Sequence, residues 1–181
     1  RAIAKHANLQ LSLTTYYFKD IQELIHQAFK QSSEQTMERV EQAWQQAFQL
    51  IESYSKTSLR KSSVKLELSE KLTQVSVQYL YSQICQQPIA LAIEQLLFTE
   101  IQVTPALRDL ADKHKTGLLL PFVQIAQYFN KVEPEIYADI MLTVYCQLEY
   151  RHLSIPQEEI NINEMTKVVN KLVTWVMGLK S

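Results

Sequence analysis

Glycine is nearly missing from this sequence. Only Gly117 and Gly178 occur in 181 residues, alongside five prolines. A sheet of many strands needs such residues at its reversals, so the shortage excludes most β architectures and predicts an all-α fold. Charge of one sign is also lacking: 18 Lys and Arg stand against 19 Asp and Glu. The chain as a whole is therefore no electrostatic nucleic-acid binder, and any DNA contact must come from a local patch. The two cysteines, Cys85 and Cys146, sit in the apolar runs YSQICQQ and TVYCQLEY and read as small buried hydrophobes. Lone cysteines without a secretory leader imply a reducing, cytoplasmic setting. Apolar runs such as Gly117 to Val123 are far shorter than a bilayer span, so no membrane partner is expected.

Catalytic signatures are wanting too. The sequence holds no glycine-rich phosphate loop, nucleophile elbow or triad pattern, so no enzyme activity, catalytic residue or cofactor is expected. His6, His26, His114 and His152 share no metal-ligand spacing, and each reads as a surface or capping histidine.

What is present is a chain with 46% hydrophobic and 20% charged residues, enough to bury a sizeable core. The prolines mark first turns or loops. Thr104 and Pro105 predict a capped start ahead of ALRDLADKH, Pro134 and Glu135 open EIYADIMLTVYCQLEYRHL, and Pro88, Pro121 and Pro156 divide the remainder. Residues 55–65, SKTSLRKSSVK, lack helical periodicity and predict an exposed connection. Met37, Val40, Trp44, Ala47, Phe48, Ile51 and Tyr54 follow the spacing of one helical face. Ile162, Met165, Val168, Val169, Leu172, Val176 and Leu179 do the same, with Asn161, Asn163, Lys167 and Lys171 on other faces.

The first twenty-five residues carry the functional signal. A short helix ending near Ala7, a break at residues 8–11 and a second helix from Ser12 to Phe18 form a helix-turn-helix by pattern. Arg1, Lys5 and Lys19 are basic, and no acid precedes Asp20. Ser12, Thr14, Thr15, Tyr16 and Tyr17 add hydroxyl groups that can approach phosphates and base edges. With Lys19, these are the candidate DNA-binding residues.

The run IAKHANLQLSLTTYYFKDIQELI resembles the DNA-binding end of TetR-family repressors, with the pattern I-A-x-x-A-G-V-S-x-G-x-x-Y-Y-x-F-x-x-K-x-x-L. Ile3, Ala4 and Ala7 match the packed face of the family's second helix, Leu9 its apolar turn residue, and Tyr16, Phe18 and Leu24 fall in register. The departures are Asn8 for a glycine, Gln10 for a capping serine or threonine, Ser12 for a glycine and Ile21 for a lysine. The resemblance implies a partial helix-turn-helix domain at 1–26, entered after its first helix, and a helical ligand-binding and dimerisation domain at 27–181. A fragment lacking that first helix is expected to hold DNA poorly.

The implied function is a cytoplasmic repressor, released from palindromic double-stranded operator DNA by a small-molecule effector. Tyr79, Tyr81, Glu94, Phe98, Phe122 and Tyr128 are candidate ligand residues, set against a plain core role for the aromatics and a solvent-facing one for Glu94. A homodimer is expected through Tyr137, Ile140, Met141, Val144, Tyr145 and Leu148, together with Val168, Val169, Leu172, Val173, Trp175 and Val176. These two apolar faces look wider than one core requires. The alternative is a helical ligand-binding or adaptor protein of the same fold without operator binding.

Overall fold

A computed structural model describes residues 5–8, 10, 12, 16–101, 104–129 and 132–179. Among them there is no strand, and six long helices build the fold: α1 (Ile21–Glu52), α2 (Ser62–Gln86), α3 (Pro88–Glu100), α4 (Arg108–Phe129), α5 (Pro134–His152) and α6 (Ile162–Val176). Short 3-10 turns stand at Ser58–Arg60, Pro105–Leu107 and Gln157–Glu159.

Helix α1 starts where its caps dictate. The Asp20 carboxylate accepts from Glu23 N at 2.8 Å, and the Glu23 carboxylate accepts from Lys19 N at 2.7 Å, so two otherwise unpaired amides are satisfied at the positive end of the helix dipole. Its 32 residues run about 48 Å. Ser33, Thr36, Val40, Trp44, Ala47 and Ile51 form the buried stripe at three-and-four spacing. Upstream, Ile25 and Phe29 pack on a separate apolar cluster of Leu97, Leu107 and Ala111. The expected domain boundary at 26–27 thus falls inside one continuous helix, with no linker there.

The other helices wrap this rod. Helix α1 packs against α2, α3 and α4, while α4 lies along α5 and α2 lies along α6. The main core joins Val40, Trp44 and Ile51 to Leu68, Leu72 and Leu80 of α2, Phe122 and Ile125 of α4, Met141 and Tyr145 of α5, and Met165 and Val169 of α6. Buried hydroxyls of α2 are turned back on its own carbonyls: Ser69 donates to Leu66 O, and Thr73 donates to Ser69 O, each at 2.7 Å.

Both ends of α6 are closed. Asn161 Oδ1 accepts from Glu164 N at 3.0 Å, and Gly178 takes φ +68°, which lets Leu179 N reach Thr174 O at 2.9 Å in a Schellman cap. Leu179 therefore follows the helix, correcting its inclusion in the helical stripe. Lys65 Nζ donates to Met177 O at 2.9 Å, joining the end of α6 to the start of α2.

Three further sequence expectations are corrected. The connection predicted over 55–65 already becomes α2 at Ser62, because Val64 and Lys65 are half-buried against the bundle. Thr104 makes no side-chain cap, since its hydroxyl bonds Glu100 Oε1 at 3.3 Å and a 3-10 turn precedes α4. Pro121 lies within α4 and divides nothing. It forfeits the amide that would bond the Gly117 carbonyl. The neighbouring Leu118, Phe122 and Ile125 are all buried, and their packing holds the helix together across the gap. Gly117 is needed for close approach: a Cβ there would run into the thioether of Met37.

Candidate functional site

The bundle interior is not purely apolar. Glu94 and Glu149 are each 6% exposed and His114 is 3% exposed, yet all three belong to residue types that avoid such burial. Each sits in phase with an apolar stripe: Glu94 between Leu91 and Leu97, His114 between Ala111 and Leu118, and Glu149 four residues after Tyr145. The helices that form around leucine and tyrosine carry these polar groups inward with them.

Hydrogen bonds account for part of the set. Tyr150 donates to Glu94 Oε1 at 2.9 Å, and the Ser33 hydroxyl lies 2.7 Å from His114 Nδ1. With Ser33 donating, the ring proton sits on Nε2, which is 3.2 Å from Glu94 Oε2. That contact has ion-pair distance without hydrogen-bond geometry, so His114 Nε2 remains a buried donor with no hydrogen-bond partner. Arg39 donates through Nη2 to Thr36 Oγ1 at 2.9 Å, while its buried Nε is likewise unpartnered.

Glu149 is the most perturbed carboxyl. Burial, and then the charge of Glu94, push it up to about 8. Burial followed by Glu94 also raises the Tyr150 hydroxyl, and burial followed by Glu149 raises that of Tyr79. Burial, then Glu149 and Glu94, push the Cys146 thiol up to about 12, which leaves it an unreactive thiol at neutral pH.

Several of these groups border a partly open space of about 30 Å³, room for a water or a group of that size. Thr36 and Arg39 of α1, Tyr79 and Gln83 of α2, Glu94 of α3, and Cys146 and Glu149 of α5 line its polar side. Trp44, Phe122 and Tyr145 line its aromatic side, with Phe122 meeting Trp44 edge-on at 4.7 Å and Tyr145 edge-on at 4.9 Å. Arg39, Tyr79 and Gln83 also border an open groove of about 300 Å³ between α1 and α2, lined by Gln42, Gln46, Gln78 and Gln86.

Of the six residues read from sequence as ligand-binding, the cavity gathers Tyr79, Glu94 and Phe122. The other three lie outside this cavity. Tyr81 accepts from Gln157 Nε2 at 3.3 Å, Phe98 packs in the smaller cluster 6.0 Å from the His114 ring, and Tyr128 is exposed beside Glu52. The solvent-facing alternative for Glu94 is overturned by its burial. His114 and His152 are core histidines, the latter bonded through Nδ1 to Leu148 O. Sequence reasoning missed Thr36, Arg39, Glu149 and Tyr150. The available signal was a polar residue in phase with an apolar stripe. Among the described residues, no group of three or more His, Cys, Asp or Glu could hold a metal, and no helix is long and apolar enough to cross a membrane.

At the other end of α1, Tyr16 and Tyr17 are 80% and 67% exposed and meet edge-on at 5.0 Å. Ser12 and Lys19 are also exposed, whereas Thr14 and Thr15 lie outside the described residues. Asn8 adopts the left-handed φ of +54°, a conformation that asparagine tolerates best after glycine, and its amide bonds Lys5 O at 3.2 Å. A turn therefore follows the helical residues Lys5 and His6.

The face expected to pair two subunits is largely spent inside one. Met141, Tyr145, Leu148, Val169, Leu172, Val173 and Val176 are all buried in the chain's own core. The width of these stripes reflects helices packed on two sides. Ile140 and Trp175 are exposed, Tyr137, Val144 and Val168 are half-buried, and Tyr137 stacks on Trp175 at 4.5 Å. No family model matches the chain, and neither does any curated protein.

Proposed function

We propose that this chain is a ligand-responsive DNA-binding regulator, a repressor released from a palindromic operator when a small molecule enters the central cavity. The observation that carries this reading is the continuity of α1. One helix begins beside the exposed Tyr16, Tyr17 and Lys19 and supplies Thr36, Arg39 and Trp44 to the cavity wall. Two sites on one rigid element can bias each other when a ligand favours one of its positions. Exposed tyrosines beside a lysine suit phosphate and base-edge contact, and the turn at Asn8 keeps the helical break that the TetR resemblance requires.

Selection from a random duplex pool by the full-length protein tests the reading. The expected product is a palindrome with half-sites about 34–36 Å apart. Lys19→Ala should lower the salt slope of binding by about one counterion, and Tyr16→Ala should weaken binding by about 1–3 kcal/mol. If no sequence is enriched, the chain is a helical ligand-binding protein without an operator.

A two-fold dimer would hold two such tips at fixed spacing. Its contact surface would be built on Tyr137, Ile140 and Trp175, because the deeper residues are already occupied. Ile140→Glu combined with Trp175→Glu should shift a dimer to monomer in sedimentation without lowering helicity. A parent that is monomeric at micromolar concentration would remove the dimer from the scheme.

A further inference from the structure

Two buried carboxyl groups line one cavity with a single guanidinium, Arg39, and among the described residues no cation is paired to Glu149. We propose that the cavity binds the ammonium head of a primary monoamine between Glu94 and Glu149, with the amine's neutral, hydrogen-bonding tail lying in the glutamine-lined groove outside. The inference rests on reading this cavity as the effector site.

The physical case is one of compensation. Burying a carboxylate without a partner is costly, and two within electrostatic reach of each other add repulsion. Arg39 borders the same space, but its guanidinium is bonded to Thr36 and pairs with neither glutamate. Glu94 is partly served by Tyr150 and His114, whereas Glu149 is shifted by burial and by Glu94 alone. An entering ammonium would donate to both carboxyls. It would also lie beside the aromatic rings of Trp44, Phe122 and Tyr145. The space of about 30 Å³ admits a head of that size without a bulky substituent on nitrogen.

The tail is set by the exit. Arg39, Tyr79 and Gln83 border both the cavity and the open groove. Gln42, Gln46 and Gln78 offer amide donors and acceptors there, and among the described residues lining the groove Arg39 alone is charged. A second ammonium on the ligand would face that guanidinium. A neutral amide or hydroxyl would not.

Protons balance simply. The ammonium enters as a cation, the protonated Glu149 carboxyl loses its proton to solvent, and the carboxylate then pairs with the ligand. The groups facing Glu149 from the surrounding helices are Arg39 (α1), Tyr79 (α2), Glu94 with its partner His114 (α3 and α4), and Tyr145 and Cys146 on its own helix α5. Binding should therefore release a proton and tighten as pH rises from neutrality toward about 8.

The test is calorimetry on the whole chain, without DNA and in amine-free buffers, using N-acetylethylenediamine, its neutral counterpart N-propylacetamide, and putrescine. N-acetylethylenediamine should bind with a buffer-dependent heat that reports proton release, and the neutral amide should not bind. Putrescine should bind more weakly than the monoamine. Glu149→Gln, which keeps shape and removes the charge, should weaken the monoamine at least about tenfold. Equal binding of the neutral amide, an unchanged Glu149→Gln, or no heat at millimolar monoamine would each overturn the proposal. An amine that binds yet leaves DNA affinity unchanged upholds this site and counts against the regulatory reading alone.

Discussion

Glu149→Gln should stabilise the protein at alkaline pH and leave it unchanged in mild acid. The parent carboxyl is held at about 8 in the folded chain against 4.5 for an ordinary glutamate, first by burial and then by Glu94. Between those values the folded state binds more protons than the unfolded one, so stability declines as pH rises across the interval and levels off above it. The full loss is roughly 3–5 kcal/mol, from about 1.4 kcal/mol for each pH unit of difference. Glutamine imitates the protonated carboxyl, so the variant escapes the decline. Urea midpoints of parent and variant should coincide near about pH 4.5 and diverge progressively to about pH 9. A constant gap across that range would show that Glu149 is not buried as a neutral acid.

Trp44→Ala should be the most damaging single truncation in the central core, lowering stability by about 3–5 kcal/mol. Its ring packs on Phe122 at 4.7 Å and lies 6.1 Å from Tyr145. It also lines two spaces, the polar cavity and an apolar void of about 20 Å³ bordered by Leu72, Met141 and Val173. Removing the ring would open one into the other and bring water against aliphatic side chains. Trp44→Phe should cost considerably less, because an aromatic partner remains for Phe122. Chemical denaturation of the pair decides the matter. An alanine variant within about 1 kcal/mol of the parent would mean that the two spaces close over the missing ring.

The helices were largely legible because their signals are local. Pro134 opens α5, and the stripe from Ile162 to Val176 defines α6, each read from neighbours a few residues apart. Pro121 was misread because its tolerance depends on distant packing, which no local rule reports. The site divided along similar lines. Tyr79, Glu94 and Phe122 were visible as aromatic or charged residues in apolar surroundings. His114 was hidden between Lys113 and Lys115, and Glu149 at the polar end of its run, where only the phase of the helix turns each inward. The faces read as a dimer surface are largely covered within the chain, since amphipathic width records how many sides of a helix are covered and says nothing of whose chain covers them.

The length of α1 also fixes a mechanical ratio. Ile25 and Phe29 clamp the helix against Leu97, Leu107 and Ala111 partway along its course. From Phe29 to Arg39, and from Phe29 back to the Asp20 cap, the helix extends about 15 Å in each direction. On the regulatory reading proposed above, it would act as a lever with nearly equal arms and its fulcrum at the small cluster. An outward push of about 1 Å on Arg39 by a cavity occupant would reappear as an opposite shift of about 1 Å beside Lys19, neither amplified nor lost. Loosening the fulcrum with Phe29→Ala would uncouple the two ends while leaving each site intact.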